Sequence, residues 1–177
     1  MQRGLLIASP QMKDPHFEGT VVLLCHHDEN GAVGVVINRE TTLLVGDVLE
    51  QLSIERTDRA STSVLWGGPV EPGAGFVVFA GTVPEDEGWN VGDGVAVSPA
   101  RARLAQSLRG TDAFHLCLGY AGWGPGQLDG EIAQGAWLYT EVDRGVVLET
   151  PVAERYTASL ARLGLGIESV WMQPVDE

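Results

Sequence analysis

Residues 20–38 read TVVLLCHHDENGAVGVVIN, two apolar runs of strand length separated by a short polar stretch containing Asn30-Gly31. Runs this apolar hide both faces from water, and the Asn-Gly step suits a tight reversal, so the segment demands a β-hairpin near the centre of a sheet. Strands are expected over 20–26 and 32–38, with the turn at 27–31. The same reading predicts strands over 4–8, 63–66, 75–80, 113–118 and 136–142, and a loop over 84–94 where PEDEGWNVGDG is rich in turn formers. Four helices complete the pattern. One covers 47–52, and one follows Ser98-Pro99 with Ala102, Ala105 and Leu108 on one face. Another runs from near Pro125 to Gly135 with Leu128 and Ile132 inward, and the last is capped by Thr150-Pro151 with Val152, Tyr156, Leu160 and Leu163 inward. Strands outnumber helices and pair locally, which implies an α+β fold rather than a doubly wound parallel sheet.

The chain has 177 residues, of which 44% are hydrophobic and 20% charged, enough to build one self-sufficient domain over 1–177. It has no apolar run of membrane-spanning length and no signal-like amino terminus. Its two isolated cysteines, Cys25 and Cys117, form no metal or redox motif, so a reducing cytoplasm is expected. The formal charge of −13, from 24 acids against 11 bases, disfavours DNA and anionic membrane as partners. No basic stripe relieves that. Arg101 and Arg103 diverge on their helix, and Arg155 shares a face with Arg162 beside Glu154. Lys13 is the only lysine, which removes P-loop chemistry.

Standard catalytic signatures are missing: there is no G-x-S-x-G elbow, H-E-x-x-H, EF-hand loop or Walker A. His26 and His27 are adjacent on a strand and face opposite ways, so they do not share an ion, and no metal is expected. His115 sits inside an apolar strand, where a satisfied core histidine is expected. Asp14, His16 and Glu18 alternate, and an extended chain would line them up as an acid–histidine–acid row fit for proton transfer; a solvated loop face looks the same. Gly119, Gly122, Gly124 and Gly126 lie between a buried strand and a helix. They either aim backbone N–H groups at an anion or let Tyr120 and Trp123 fold back on the sheet. Position 127 is Gln where a dinucleotide fingerprint needs Gly, so no nucleotide cofactor is expected. Gln127 and Glu131 share a helix face and could close a polar cleft beneath Tyr120 and Trp123.

GYAGWGPGQLDGE at 119–131 resembles the signature of the YqgE/AlgH family, bacterial proteins of uncharacterised function that are often labelled transcriptional regulators. The segments at 5–39 and 66–70 support it, and 151–165 falls where that family's last helix belongs. The resemblance implies a bifurcated or partly barrel-like, mostly antiparallel sheet flanked by helices, with no established catalytic residue or cofactor. Its motif residues fall on Asp14, Pro15, Phe17, Gly31, Gly34, Asn38 and Arg39, on Gly67, Gly68 and Pro69, and on Gly119, Tyr120, Gly122, Trp123, Gln127, Leu128 and Glu131. The chain departs from the pattern at His26, at Glu40 and in the tail WMQPVDE.

The leading functional expectation is a non-enzymatic binding or regulatory module. Its ligand site would be built from Asn38, Arg39, Gly67, Gly68, Tyr120, Gly122, Trp123, Gln127 and Glu131 and would take a small anionic ligand or a protein partner. Arg39 supplies a planar fork for a carboxylate or phosphate, and the glycine turns admit close approach. The alternatives are a small hydrolase or transferase using Asp14, His16 and Glu18 with Arg39, and a direct DNA-binding regulator, which the net charge disfavours.

Overall fold

The computed structural model describes residues 3–52, 61–99, 101–110 and 112–164. Ten strands form a single sheet. They are β1 (Gly4–Ala8), β2 (Val21–Asp28), β3 (Gly31–Val36), β4 (Glu40–Leu44), β5 (Ser63–Trp66), β6 (Val70–Ala80), β7 (Trp89–Gly92), β8 (Val95–Ser98), β9 (Phe114–Trp123) and β10 (Trp137–Thr140). The helices are α1 (Val45–Leu52), α2 (Arg101–Arg109), α3 (Gln127–Ala133) and α4 (Arg155–Arg162).

The main path of the sheet runs β10-β1-β2-β3-β9-β6-β8-β7, antiparallel at every step, and does not close. Strand β9 is the fork. Along one edge it pairs first with β5 in parallel at Cys117 and Leu118, then with β3 in antiparallel at Ala121–Trp123; β6 takes the other edge. The expected bifurcated sheet is therefore present, with one parallel pair in an otherwise antiparallel array.

The predicted hairpin lies at positions three and four of this order, and both faces of β2 are buried, as its apolar run requires. Val21, Leu23 and Cys25 point into the concave interior with Val35, Ile37, Val78 and Cys117, while Val22 and Leu24 face outward to Trp123, Leu128 and Trp137. Each such fully buried aliphatic side chain is worth about 1.5–3 kcal/mol. A third cluster lies under α1 and α2, where Leu104 and Leu108 are the inward residues. Ala102, expected on that inner face, is exposed.

Gly67 and Gly68 occupy the crotch of the fork. The Gly67 N–H bonds Leu118 O at 2.7 Å and its carbonyl accepts Val36 N–H at 2.8 Å. A Cβ on Gly67 would overlap Gly119 O, and one on Gly68 would overlap the Tyr120 backbone. The close approach that these glycines permit is of one strand to another. Gly119 adopts φ +82°, which only glycine tolerates easily, and this shifts the side-chain alternation along β9. Before it, Cys117 points inside; after it, Tyr120 points inside and Trp123 outside.

Several elements differ from expectation. Residues 84–94 are not simply a loop: they hold a short 3-10 turn at Glu85–Glu87 and strand β7. Strands β4 and β8 were not anticipated, and β9 runs through Gly119 and Gly122 to Trp123, which leaves Gly124 and Gly126 in the turn before α3. The expected cap at Thr150-Pro151 leads into a 3-10 turn at Val152–Glu154 before α4 begins. The tail WMQPVDE lies outside the described residues.

Candidate functional site

A cleft of about 690 Å³ opens between the 9–20 segment and α3, walled by Asp14, Phe17, Trp123, Gln127, Glu131 and Gln134, with Lys13 also lining it. Its geometry starts from the end of β9. Gly126, at φ +74°, turns the chain into α3, Leu128 anchors that helix in the outer cluster, and Gln127 and Glu131 are left one turn apart on the cleft side.

Glu131 is held by three donors. Its Oε1 accepts the indole N–H of Trp123 at 3.0 Å and that of Trp137 at 2.9 Å, and its Oε2 accepts Gln127 Nε2 at 3.0 Å. Gln127 in turn accepts the Gly124 N–H at 2.9 Å. Hydrogen bonds to a carboxylate contribute about 1.5–3 kcal/mol each, so this group is fixed in place before any ligand arrives. Phe17 stacks on Trp123 at 6.3 Å and meets Trp137 edge-on at 5.7 Å, closing an aromatic cluster beneath the carboxylate. Across the helix, Asp129 pairs with the buried His27 at 3.2 Å, tying α3 to β2.

The opposite wall is a compact turn. Asp14 Oδ1 accepts the His16 backbone N–H at 2.8 Å, and the N–H groups of Phe17 and Glu18 both bond Asp14 O at 3.0 Å. The chain is therefore folded at 14–18, and the extended acid–histidine–acid row does not form. Asp14 and the His16 ring do touch, at 3.2 Å, but His16 stacks on Trp66 and, like Glu18, does not line the cleft.

Asn38 and Arg39 clamp this turn to the sheet. Asn38 Oδ1 accepts Val21 N–H at 2.8 Å and its Nδ2 donates to Gly19 O at 2.9 Å. Arg39 donates from Nη1 to His16 O at 2.5 Å and from Nη2 to Glu18 O at 2.6 Å, with its guanidinium over the Trp66 ring at 5.4 Å. The fork expected to grip an anion grips backbone carbonyls instead.

Of the residues singled out beforehand, Asp14, Gly122, Trp123, Gln127 and Glu131 meet in the cleft. Asn38, Arg39, Gly67, Gly68 and Tyr120 are not among its lining residues. Tyr120 lies on the inner side of β9, where it meets Phe76 edge-on at 5.9 Å and its hydroxyl donates to Glu71 at 3.3 Å. Sequence reasoning missed Trp137, Gln11 and Gln134. Only Trp137 carried a signal, as an indole whose N–H needs an acceptor when buried.

Two other titratable centres are structural. His26 is exposed and pairs with Asp28 at 2.8 Å; the Asn30 N–H and then His26 hold the Asp28 carboxyl below its ordinary range. His115 is the satisfied core histidine expected. Its Nε2 accepts Arg155 Nη2 at 2.6 Å, and burial and then the guanidinium push its pKa down to about 3. Arg155, expected on a helix surface, is 1% exposed and donates also to Thr150 O at 2.9 Å and Ile37 O at 2.7 Å. Burial pushes the Cys117 thiol up to about 12, and that of Cys25 upward too, so neither is a ready nucleophile. Among the described residues, no group of three or more His, Cys, Asp or Glu side chains is arranged to hold a metal, and no helix is long and apolar enough to cross a membrane.

Comparison with known proteins gives one answer. Residues 5–168 match the family model described as AlgH-like. A UPF0301 protein of Photobacterium profundum is 41% identical over 170 residues, covering 90% of each chain, and one of Rhodospirillum rubrum is 42% identical over 164 residues, covering 90% of this chain and 85% of its own. The solution structure of the AlgH protein from Pseudomonas aeruginosa superimposes with a TM-score of 0.79 at 34% identity, over 99% of this chain and 95% of that one. A crystal structure from Corynebacterium diphtheriae shares the fold at 21% identity, with a TM-score of 0.75 over 99% of this chain and 89% of that one.

Proposed function

The chain belongs to the AlgH-like family, and from that premise we propose that it is a cytoplasmic binding module without catalytic chemistry, whose ligand seats in the cleft between the 9–20 segment and α3. The observation that carries this reading is the Glu131 carboxylate, immobilised by two indoles and an amide in the wall of an open cavity. A fixed acceptor flanked by the Gln11, Gln127 and Gln134 amides selects by hydrogen-bond pattern. The occupant is a small polar ligand or a polar segment of a protein partner. An anionic ligand is the less favoured occupant, because Arg39 donates to backbone carbonyls and the cleft lining holds one lysine with two carboxylates.

The hydrolase reading is weakened by the same geometry. Asp14 and His16 touch, but the proposed electrostatic clamp is engaged elsewhere and His16 turns away onto Trp66. The test is an NMR titration that follows the indole N–H signals of Trp123 and Trp137 against a panel of nucleosides, amino acids, dipeptides and carboxylic acids. A ligand of this cleft moves both signals together, and Glu131→Gln shifts both and weakens that ligand by about tenfold or more. A ligand that binds without disturbing either indole would show that the functional site lies elsewhere.

An effect on transcription would then be indirect, through a partner or ligand. No duplex binding is expected at micromolar protein in roughly physiological salt, since each phosphate contact needs a base and the charge is −13. A gel shift that survives competitor DNA and fades steeply with salt would reverse this conclusion.

A further inference from the structure

The sheet is open, and its terminal strand β7 is tied to the far side of the molecule by polar contacts. Arg3 Nη1 donates to Asn90 O at 2.7 Å, and Asp93 Oδ2 accepts the Arg144 N–H at 2.8 Å. Between these ties lies a second cavity of about 550 Å³, far from apolar, whose charged lining is Arg3, Asp93, Glu141, Asp143 and Arg162, with the Tyr139 ring among them. Arg3 and Arg162, two of the chain's 11 bases, converge here from distant points of a chain that shows no basic stripe in sequence.

The commitments of these groups differ. Asp93 is engaged by Arg144, and Asp143 by Arg162 at 3.0 Å and by the Val146 N–H at 3.1 Å. Glu141 is exposed and has no hydrogen bond or ion pair among the described residues, yet its charge helps hold the Tyr139 phenol above its ordinary pKa, after the larger effect of burial. Arg3 spends one N–H on Asn90 and keeps the rest of its donors. One uncommitted carboxylate and one largely uncommitted guanidinium thus share a polar cavity.

We propose that this seam binds a small zwitterion, a free α-amino acid or the like, with its carboxylate on Arg3 and its ammonium on Glu141. A plain anion would meet the field of a −13 molecule, and a plain cation would meet Arg3 and Arg162. A molecule carrying both charges satisfies both groups at once and brings no net charge. Divalent cations are poorly served, because two of the three carboxylates already accept backbone N–H groups.

The experiment is a ¹H–¹⁵N titration with glycine, glutamate and lysine beside the half-ligands acetate and methylammonium. Backbone signals of Gly92, Tyr139 and Glu141 are expected to move with at least one amino acid at millimolar concentration, and about tenfold or more weakly with either half-ligand. Glu141→Gln, which removes no hydrogen bond or ion pair among the described residues, should abolish the response, and Arg3→Gln should weaken it by about tenfold or more. The indole signals of Trp123 and Trp137 should stay still throughout, which separates this site from the cleft. Acetate binding as tightly as the amino acids, an unchanged response in Glu141→Gln, or no response to any probe would each overturn the proposal.

Discussion

Replacing Arg155 with alanine is expected to lower the free energy of unfolding by about 3–5 kcal/mol, the range seen when one member of a buried charged network is removed. The side chain leaves the first turn of α4 and enters the sheet interior, where its three outward partners are Thr150 O, Ile37 O and His115 Nε2. Truncation strands three acceptors, Ile37 O fully buried and Thr150 O and His115 Nε2 half-buried, and a buried one costs about 1–3 kcal/mol when left unmade. It also opens a void where the guanidinium and its stem had packed. Arg155→Lys should recover little, because one ammonium cannot span three acceptors set out for a planar fork. Arg155→Met should fall between the alanine variant and the parent, since it fills the space but leaves the acceptors unpaired. Urea unfolding followed by circular dichroism measures all three. A loss under about 1 kcal/mol for alanine would mean that water replaces the guanidinium and that the interior is wetter than its burial implies.

Arg155 also shows where a sequence becomes opaque. Beside Glu154 and one face with Arg162, it reads as an ordinary solvated helix position, and nothing in local spacing says that the helix begins against an open sheet. The hairpin of β2 and β3 was legible because a run apolar on both faces has few other places to go. Strand β4, ETTLL, was not: it alternates weakly, is exposed over most of its length, and exists because β5 offers it an edge. Strand β7 hid in a stretch of turn formers for the same reason, since tertiary pairing outweighs local propensity there.

The site was legible in part. Gln127 and Glu131 could be placed on one helix face from their spacing alone, and the polar wall they were expected to make is there. Tyr120 and Trp123 could not be sorted, because their faces depend on the alternation shift at Gly119, which a glycine permits but does not announce. Asn38, Arg39, Gly67 and Gly68 are unusual residues at special positions, and their chemistry suggested ligand contacts. Their partners turn out to be backbone: the glycines admit β9 into the fork, and the Asn-Arg pair holds the turn that forms one wall of the cleft. A sequence motif marks chemistry that must be satisfied, and long-range folding decides whether chain or ligand satisfies it.

Acid should weaken the fold through His115 in a window that its surroundings define. The ordinary imidazole value is about 6.5, and in the folded chain it is lowered to about 3, first by burial and then by the Arg155 charge. Above about pH 6.5 the ring is neutral in both states, so its full contribution to stability is present. Between about 6.5 and 3 the unfolded chain takes up a proton that the folded chain refuses, so stability falls as pH falls, at about 1.4 kcal/mol per unit at most. The total at this one residue is on the order of 3–5 kcal/mol. The groups facing the ring do not relieve it. Arg155 on α4 is a cation even though burial lowers it to about 10, and the neighbouring Cys117 on β9 stays protonated. Other groups contribute to the pH dependence of the whole chain, so the informative quantity is a difference. Unfolding free energies of the parent and of His115→Gln, measured from about pH 7 down to about pH 4, should diverge from parallel, the parent losing more with each unit. The slope, not the starting stability, carries the result, so any baseline cost of glutamine in the core is immaterial. Parallel curves across that window would show that His115 takes up its proton in the folded state, which the donated Arg155 N–H at 2.6 Å forbids.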